Sequence, residues 1–271
     1  MGDFFELMAA PFVACLVLTG IHAYLGLHVV QRGVIFVDLA LAQVAALGAT
    51  FGFLLGFGLH SLEGYFIALL MTVIAAVILA FSRGEGSSVP QEAYIGIVYV
   101  VAAGASIVVL SSAPQGGEEL KSLLVGHLLF VGWDEITKVL AIYSGVALLH
   151  WFIRYPLIAI SLDHEKAKTD GLNVKWLDFV FYATFGIVAT SSVELAGVLL
   201  VFSFLIVPAV CAALLSDCPR TKLLIGWFVG FVTSIAGITA SYFLDLPTGA
   251  TIVCTFGLCA PICLLLKRRK G

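Results

Sequence analysis

The chain has 271 residues, of which 61% are hydrophobic and only 11% are charged. Soluble domains carry about 25% charged residues, so this composition cannot cover a water-facing surface and excludes a soluble protein. The formal net charge of −3 gives no indication of nucleic acid as a partner. The sequence therefore predicts an all-α polytopic bundle of transmembrane helices, forming one domain over residues 1–271.

Nine apolar runs are long enough to cross a bilayer, because a spanning helix needs roughly 20 apolar residues rising about 1.5 Å each. The predicted spans are residues 8–30, 34–57, 62–81, 92–111, 136–154, 177–191, 194–216, 222–243 and 248–266. The break between the sixth and seventh spans is placed at Ser191-Ser192. A tenth run, Leu123 to Val131, is too short to cross and is interpreted as a re-entrant or interfacial segment.

Basic residues fall mainly on one side of this topology. Lys121 and Lys138 lie on the predicted outer side, and the inner side carries Arg32, Arg83, Arg154, Lys166, Lys168, Lys175, Arg220, Lys222, Lys267, Arg268, Arg269 and Lys270. By the positive-inside rule, we expect the N-terminus outside and the C-terminus in the cytoplasm.

Polar residues inside the first two spans are candidates for a transport pathway, because ionisable groups in a bilayer usually face a cavity or a partner. His22 is either a helix–helix hydrogen-bonding residue or a pathway residue. Asp38 either pairs with Arg32, six residues before it, or faces the pathway with Gln43. If a metal binds, Asp38 and His22 are its candidate ligands. The acidic residues predicted at the outer ends are Glu63, Glu118, Glu119, Glu194 and Asp245, with Glu194 also a pathway candidate.

An inner loop at about 161–175 has the start and stop signals of a short helix. It opens with capping residues, carries Glu165 in its first turn and ends at Gly171, which suits a left-handed cap. No G-x-x-x-x-G-K-[ST] phosphate loop occurs in the sequence, so ATP, if used, must bind another chain. The loop is interpreted as a docking element for such a partner, with a plain solvated loop as the alternative.

The seventh span contains the most specific motif. The run from Gly197 to Ala212, GVLLVFSFLIVPAVCA, resembles the G-x-L-L-V-x-x-L-L-I-x-P-A-x-x-A signature of metal-ion ABC importer permeases of the zinc/manganese type. Pro208 within it removes a helix hydrogen bond, which suits a kinked packing helix or a gate in the pathway. Three other segments are similar to that family: Asp163, Ala167 and Gly171 fit D-x-x-x-A-x-x-x-G, Leu123 to Leu129 resembles L-L-F-G-x-I-L, and Glu92 to Ile97 resembles the opening of its fourth span.

This resemblance implies a permease subunit without catalytic residues or a cofactor of its own. It implies a second permease copy in a homodimer, ABC ATPase subunits on the cytoplasmic face, and an external solute-binding protein that delivers the cargo. The expected location is a bacterial cytoplasmic membrane. The ATPase would dock on Asp163, Glu165, Ala167 and Gly171, and a metal ion or metal chelate would be imported.

The second span departs from the family. Aligned on Gly48, Leu39 and Gln43 stand where many relatives carry the Asp and His of D-x-x-x-H. Asp38 is one residue early and lies about 140° from Gln43 around a helix. This pair therefore does not predict a bare zinc or manganese ion as cargo, and an altered metal site, a metal chelate or another solute all remain open.

Two other classes of protein remain open at this point. A secondary transporter or channel would work without an ATPase, and it usually needs relayed intramembrane acids or paired broken helices. An intramembrane enzyme would need facing catalytic residues. The six cysteines are interpreted as small apolar side chains, since none has the paired spacing of a zinc site.

Overall fold

The computed structural model describes residues 2–58, 61–82, 89–111 and 123–268. Every regular element in these residues is a helix. The α-helices are α1 Gly2–Arg32, α2 Val37–Leu54, α3 Leu62–Ser82, α4 Gln91–Ser111, α5 Trp133–Phe152, α6 Arg154–Leu162, α7 His164–Thr169, α8 Val174–Ala196, α9 Val198–Leu215, α10 Pro219–Leu244 and α11 Thr248–Arg268. The all-α class predicted from the composition is confirmed.

Eight of these helices are long and apolar enough to cross a membrane. The helices α5 and α6 together pass the same test, but the chain bends by 78° where they meet at Ile153. The total of eight or nine agrees with the predicted nine spans. Between Leu123 and Val131 the only described helices are a few residues long, including the 3-10 turn Leu128–Phe130, so this run does not cross.

The predicted break at Ser191-Ser192 is wrong. Both serines lie inside α8, and their hydroxyls donate to the carbonyls of Ile187 and Val188, four residues earlier. This back-bonding satisfies the side chains without interrupting the backbone ladder, so serine does not end the helix. The chain breaks instead at Gly197, whose φ of 76° is accessible mainly to glycine.

The chain forms two compact units, each assembled from separate stretches of sequence. Unit 1 contains Met1–Val30, Val125–Ala141 and Leu195–Gly271, and unit 2 contains Gln31–Leu124 and Ile142–Glu194. In unit 2, α2 packs against α3 and α4, and its contact with α3 is close enough that a Cβ on Gly48 would meet the Ala68 backbone. In lipid, such small residues let helix backbones approach each other.

Unit 1 contains the helices α9, α10 and α11, which pack against one another. Its segment before α5 is fixed by Gly126, which has a φ of 73°. A Cβ on Gly126 would collide with the peptide between Ala196 and Gly197. Gly126 and Gly197 belong to two segments that resemble the family's motifs, L-L-V-G and G-V-L-L, and they therefore meet at one point of the fold.

Several residues of the predicted topology lie outside the described part of the chain. They are Arg83, Glu118, Glu119, Lys121, Arg269 and Lys270.

Candidate functional site

Asp38 lies in the first turn of α2 and is completely buried. Neither of its carboxylate oxygens has a hydrogen-bond partner among the described residues. An unpaired carboxylate is expensive to bury, and in a membrane protein such a group marks a place where a ligand or a proton is received. Asp38 is therefore the strongest candidate for a pathway residue in unit 2.

Gln43 follows on the same helix and is 4% exposed. The angular separation of Asp38 and Gln43 suggested that a single face could not hold both. In the structure 72% of the residues of α2 are buried, so protein surrounds this helix on most of its sides. Both polar groups are thus enclosed by the protein, although they do not share one face.

Other helices of unit 2 add polar groups that the sequence analysis did not single out. Tyr143 of α5 shares a hydrogen bond of 2.5 Å with Ser192 of α8, and Tyr65 of α3 shares one of 2.9 Å with Ser191. The two serines that look like a helix break in the sequence are instead the polar face of α8.

Arg32, the last residue of α1, makes a buried ion pair. Its Nη1 lies 2.6 Å from Oδ1 of Asp178, its Nε donates to Ser161 Oγ at 2.9 Å, and its guanidinium lies 4.0 Å from the centre of the Phe181 ring. The interpretation that Arg32 pairs with Asp38 is wrong. Glycine at position 33, with a φ of 66°, ends α1 after Arg32, so the two residues are not on one continuous helix.

The contacts of Arg32 join the three helices α1, α6 and α8 beside the loop that contains α7. Ser161 lies in the last turn of α6, immediately before the loop, and Asp178 lies in the first turns of α8, immediately after it. His164 of the loop also approaches Asp178, with Nδ1 3.9 Å from Oδ2. The buried pair therefore anchors both ends of the loop to the end of α1.

The loop that the sequence analysis interpreted as a docking element folds as the short helix α7 with a complete cap at each end. The Asp163 carboxylate accepts from the N–H of Lys166 at 2.9 Å. At the other end the N–H of Gly171 donates to Lys168 at 3.0 Å and the N–H of Leu172 donates to Ala167 at 3.1 Å. These two bonds, with a φ of 83° at Gly171, make a Schellman motif.

The three family-like positions of this loop have separate structural roles. Asp163 begins the helix, Gly171 ends it, and Ala167 is buried against Ile160 and Val174 beneath it. The opposite surface of α7 is exposed and carries Glu165. Leu162, the last residue of α6, lies beside it in the chain and is 64% exposed. The loop therefore presents a capped helix with a charged exposed surface, next to one exposed apolar side chain at the end of α6.

The remaining pathway candidates are distributed over both units. His22 and Pro208 belong to unit 1, whereas Glu194 belongs to unit 2 with Asp38 and Gln43. His22 is buried and its Nδ1 bonds to the Leu18 carbonyl of its own helix at 2.9 Å. Pro208 is buried within α9, and Glu194 is exposed in the last turn of α8.

The comparisons with known proteins cover nearly the whole chain. A model of the ABC 3 transport family matches residues 4–267. The manganese transport system membrane protein MntC of Halalkalibacterium halodurans is 23% identical over 270 residues, covering 98% of this chain and 89% of that protein. The high-affinity zinc uptake system membrane protein ZnuB of Haemophilus influenzae is 23% identical over 252 residues, covering 92% and 93%.

The fold is also found among solved structures. PsaBC from Streptococcus pneumoniae, solved in complex with Fab, matches with a TM-score of 0.80 at 20% identity. The match covers 97% of this chain and 94% of that one. At this identity the likeness establishes a shared arrangement of helices.

Proposed function

Because this chain belongs to the ABC 3 transport family, whose motifs its seventh span and inner loop resemble, we propose that it is the pore subunit of an ATP-driven importer that brings a metal ion or metal chelate into the cytoplasm. The observation that carries the proposal is the capped helix α7 between Asp163 and Gly171. A pore subunit without a phosphate loop needs a rigid surface on which a separate ATPase can act, and α7 provides one.

The anchoring of α7 explains how force would reach the spans. Rotation of α7 under a docked ATPase would pull on Ser161 and on the start of α8. The Arg32–Asp178 pair would transmit that displacement to the junction between α1 and α2. Helix α2 carries Asp38 and Gln43, so the coupling path within unit 2 ends at the two candidate pathway residues.

The cargo is proposed from the ligand chemistry of α2 and from the relatives. MntC and ZnuB are named for manganese and zinc, and this chain lacks the aspartate–histidine pair of that family. Carboxylate and amide oxygens suit harder ions such as Mn²⁺, whereas imidazole suits Zn²⁺. A neutral amide binds a free transition-metal ion more weakly than imidazole does. Asp38 and Gln43 therefore favour a hard ion or a chelate that is bound only weakly as it passes.

The assembly follows from the family. We propose two copies of this chain in a bacterial cytoplasmic membrane, two ABC ATPase subunits that bind ATP on the inner face, and a solute-binding protein on the outer face. The N-terminus is placed outside and the C-terminus inside, as the distribution of Lys and Arg predicts. Glu194, which is exposed at the end of α8, would then lie at the outer mouth, and Pro208 would give α9 a flexible point.

Transport in proteoliposomes tests the proposal. The chain is reconstituted with an ABC ATPase and a solute-binding protein from the same genome, and uptake of Mn²⁺, Zn²⁺ and an iron chelate is measured. We expect uptake of at least one cargo that requires both ATP and the ATPase. Uptake driven by an ion gradient in the absence of the ATPase would overturn the proposal and identify a secondary transporter.

A further inference from the structure

Three cysteines that are distant in the sequence come together in unit 1. Cys211 lies on α9, and Cys259 and Cys263 lie on α11. Their sulfur atoms all lie within 4.8 Å of one another. Cys211 and Cys263 are buried, whereas Cys259 is partly exposed. None of the three is among the residues proposed to dock the ATPase or to line the pathway.

The sequence spacing explains two of the three members of this cluster. Cys259 and Cys263 are four residues apart, which places them on one face of a helix. The third sulfur is contributed by packing, because α9 and α11 are in contact and Cys211 and Cys263 share one apolar cluster with Val229. The sequence analysis interpreted all six cysteines as small apolar side chains, and it did not predict that these three converge.

Three converging thiols are a soft-metal ligand set. A zinc–sulfur bond is about 2.3 Å long, so two sulfurs on one tetrahedral zinc ion lie roughly 3.8 Å apart. The three sulfur atoms lie within 4.8 Å of one another, so none of their separations exceeds the separation on zinc by more than about one ångström. Thiolate ligands select Zn²⁺ and Cu⁺ over harder ions such as Mn²⁺.

We propose that Cys211, Cys259 and Cys263 form a zinc site, separate from the transport pathway. On binding, the three thiols form three Zn–S bonds and release three protons to water, which leaves a complex of net charge −1. The same thiolates would give Cu⁺ a net charge of −2, which costs more in apolar surroundings. Three protein ligands leave the fourth zinc position to a small ligand such as water.

The position of the cluster favours a metal over a disulfide. Cys211 is four residues from the end of α9 at Leu215, and Cys263 is four residues before Lys267 near the end of α11. With the proposed orientation this end of unit 1 faces the cytoplasm, where glutathione and thioredoxin keep thiols reduced. Pro208 lies one turn before Cys211, so bound zinc would fix the segment of α9 after the proline to α11.

Zinc binding by the purified full-length chain in detergent tests the site without any transport assay. ZnCl₂ is titrated against a chromophoric chelator, and alkylation of the thiols is followed with and without zinc. We expect one tight equivalent of zinc in the wild type. Each of Cys211→Ser, Cys259→Ser and Cys263→Ser should weaken it by more than about 100-fold, since even outer-shell changes at metal sites cost 10–100-fold.

Two sets of controls make the result decisive. Cys254→Ser changes an exposed cysteine on the same helix and should leave the equivalent intact. Asp38→Asn should also leave it intact, which separates this site from the proposed cargo path. Thermal unfolding without zinc identifies any serine variant that fails to fold. The Cys→Ala variant at the same position then takes the place of that serine variant. Zinc bound equally by the triple serine variant, no zinc bound by the folded wild type, or a disulfide among these cysteines in glutathione would each overturn the proposal.

Discussion

Arg32 and Asp178, 146 residues apart in the sequence, form a buried ion pair with 2.6 Å between Nη1 and Oδ1. The side chains are 1% and 3% exposed. A guanidinium in such a place needs a matching charge, which Asp178 supplies, and Ser161 and Phe181 provide further contacts. Its Nη2 has no hydrogen-bond partner among the described residues. These contacts connect the end of α1 with α6 and α8, the two helices that flank α7.

Removal of one member of this pair should be severe. In Arg32→Leu the Asp178 carboxylate is left buried and uncompensated, which costs about 3–5 kcal/mol of folding free energy. The double variant Arg32→Leu/Asp178→Leu should recover most of this loss, because two apolar side chains replace the pair. Thermal unfolding in detergent measures both. Arg220→Gln, at an exposed arginine, is the control, and an equal loss there would contradict the structural role of the pair.

Gly171→Val should impair coupling without preventing insertion. The residue has a φ of 83°, and this left-handed conformation costs a β-branched residue about 1–2 kcal/mol. No described atom outside its immediate chain neighbours lies within 4 Å of a Cβ built there, so the effect acts through the backbone alone. We expect ATP hydrolysis that no longer drives uptake.

Gly171→Asn is the matched control for that experiment, because asparagine tolerates the left-handed conformation. It should retain most of the coupling. Normal ATP-driven uptake by Gly171→Val would show that the cap of α7 is not needed for docking.

Gln43→Leu should lower uptake while the amount of folded protein stays near that of the wild type. The change keeps the volume and helicity of a buried position on α2 and removes its polar head. A loss of about tenfold or more is expected, the effect of one interaction worth roughly 1.4 kcal/mol. Leu41→Met, a volume-conserving change on the same buried helix, is the control. If Gln43→Leu changes stability but not uptake, Gln43 is a packing residue.

Cys218 should be the most reactive thiol of the chain toward a water-soluble maleimide. It is exposed immediately before α10, and the pKa of its thiol is lowered by hydrogen bonds from the backbone and hydroxyl of Thr221 and by Arg220. A lower pKa keeps the thiolate present as the pH falls, so labelling should persist to lower pH than for an ordinary thiol. Labelling should occur from the cytoplasmic side only and disappear in Cys218→Ser. If the labelling of Cys218 depended on pH as that of free cysteine does, the lowered pKa of this thiol would be contradicted.

Reporter fusions test the orientation directly. A reporter after Arg269 should be cytoplasmic, and one inserted near Gln115 should be external; both positions lie outside the described residues. The expectation rests on the excess of Lys and Arg on one side of the nine-span topology. Both reporters on the same side of the membrane would exclude that topology.

The helix α7 is an element whose two ends the sequence predicts correctly. Asp163 and Gly171 predict its two ends because each acts on backbone groups only a few residues away. The same reasoning failed at Ser191-Ser192. Whether a serine ends a helix or bonds back to its own turn depends on what surrounds it, and Tyr65 and Tyr143 come from distant parts of the chain.

Composition and the lengths of the apolar runs determined by themselves that this chain is a multi-span helical membrane protein, because a bilayer demands about 20 apolar residues for each crossing. Only the tertiary structure decided which polar residues meet. Arg32 pairs with Asp178 instead of the nearby Asp38, and Cys211 joins Cys259 and Cys263. Hydropathy is nearly uniform around such helices, so the pattern of apolar residues does not specify which faces touch. Close packing of small residues and the satisfaction of buried polar groups specify those contacts.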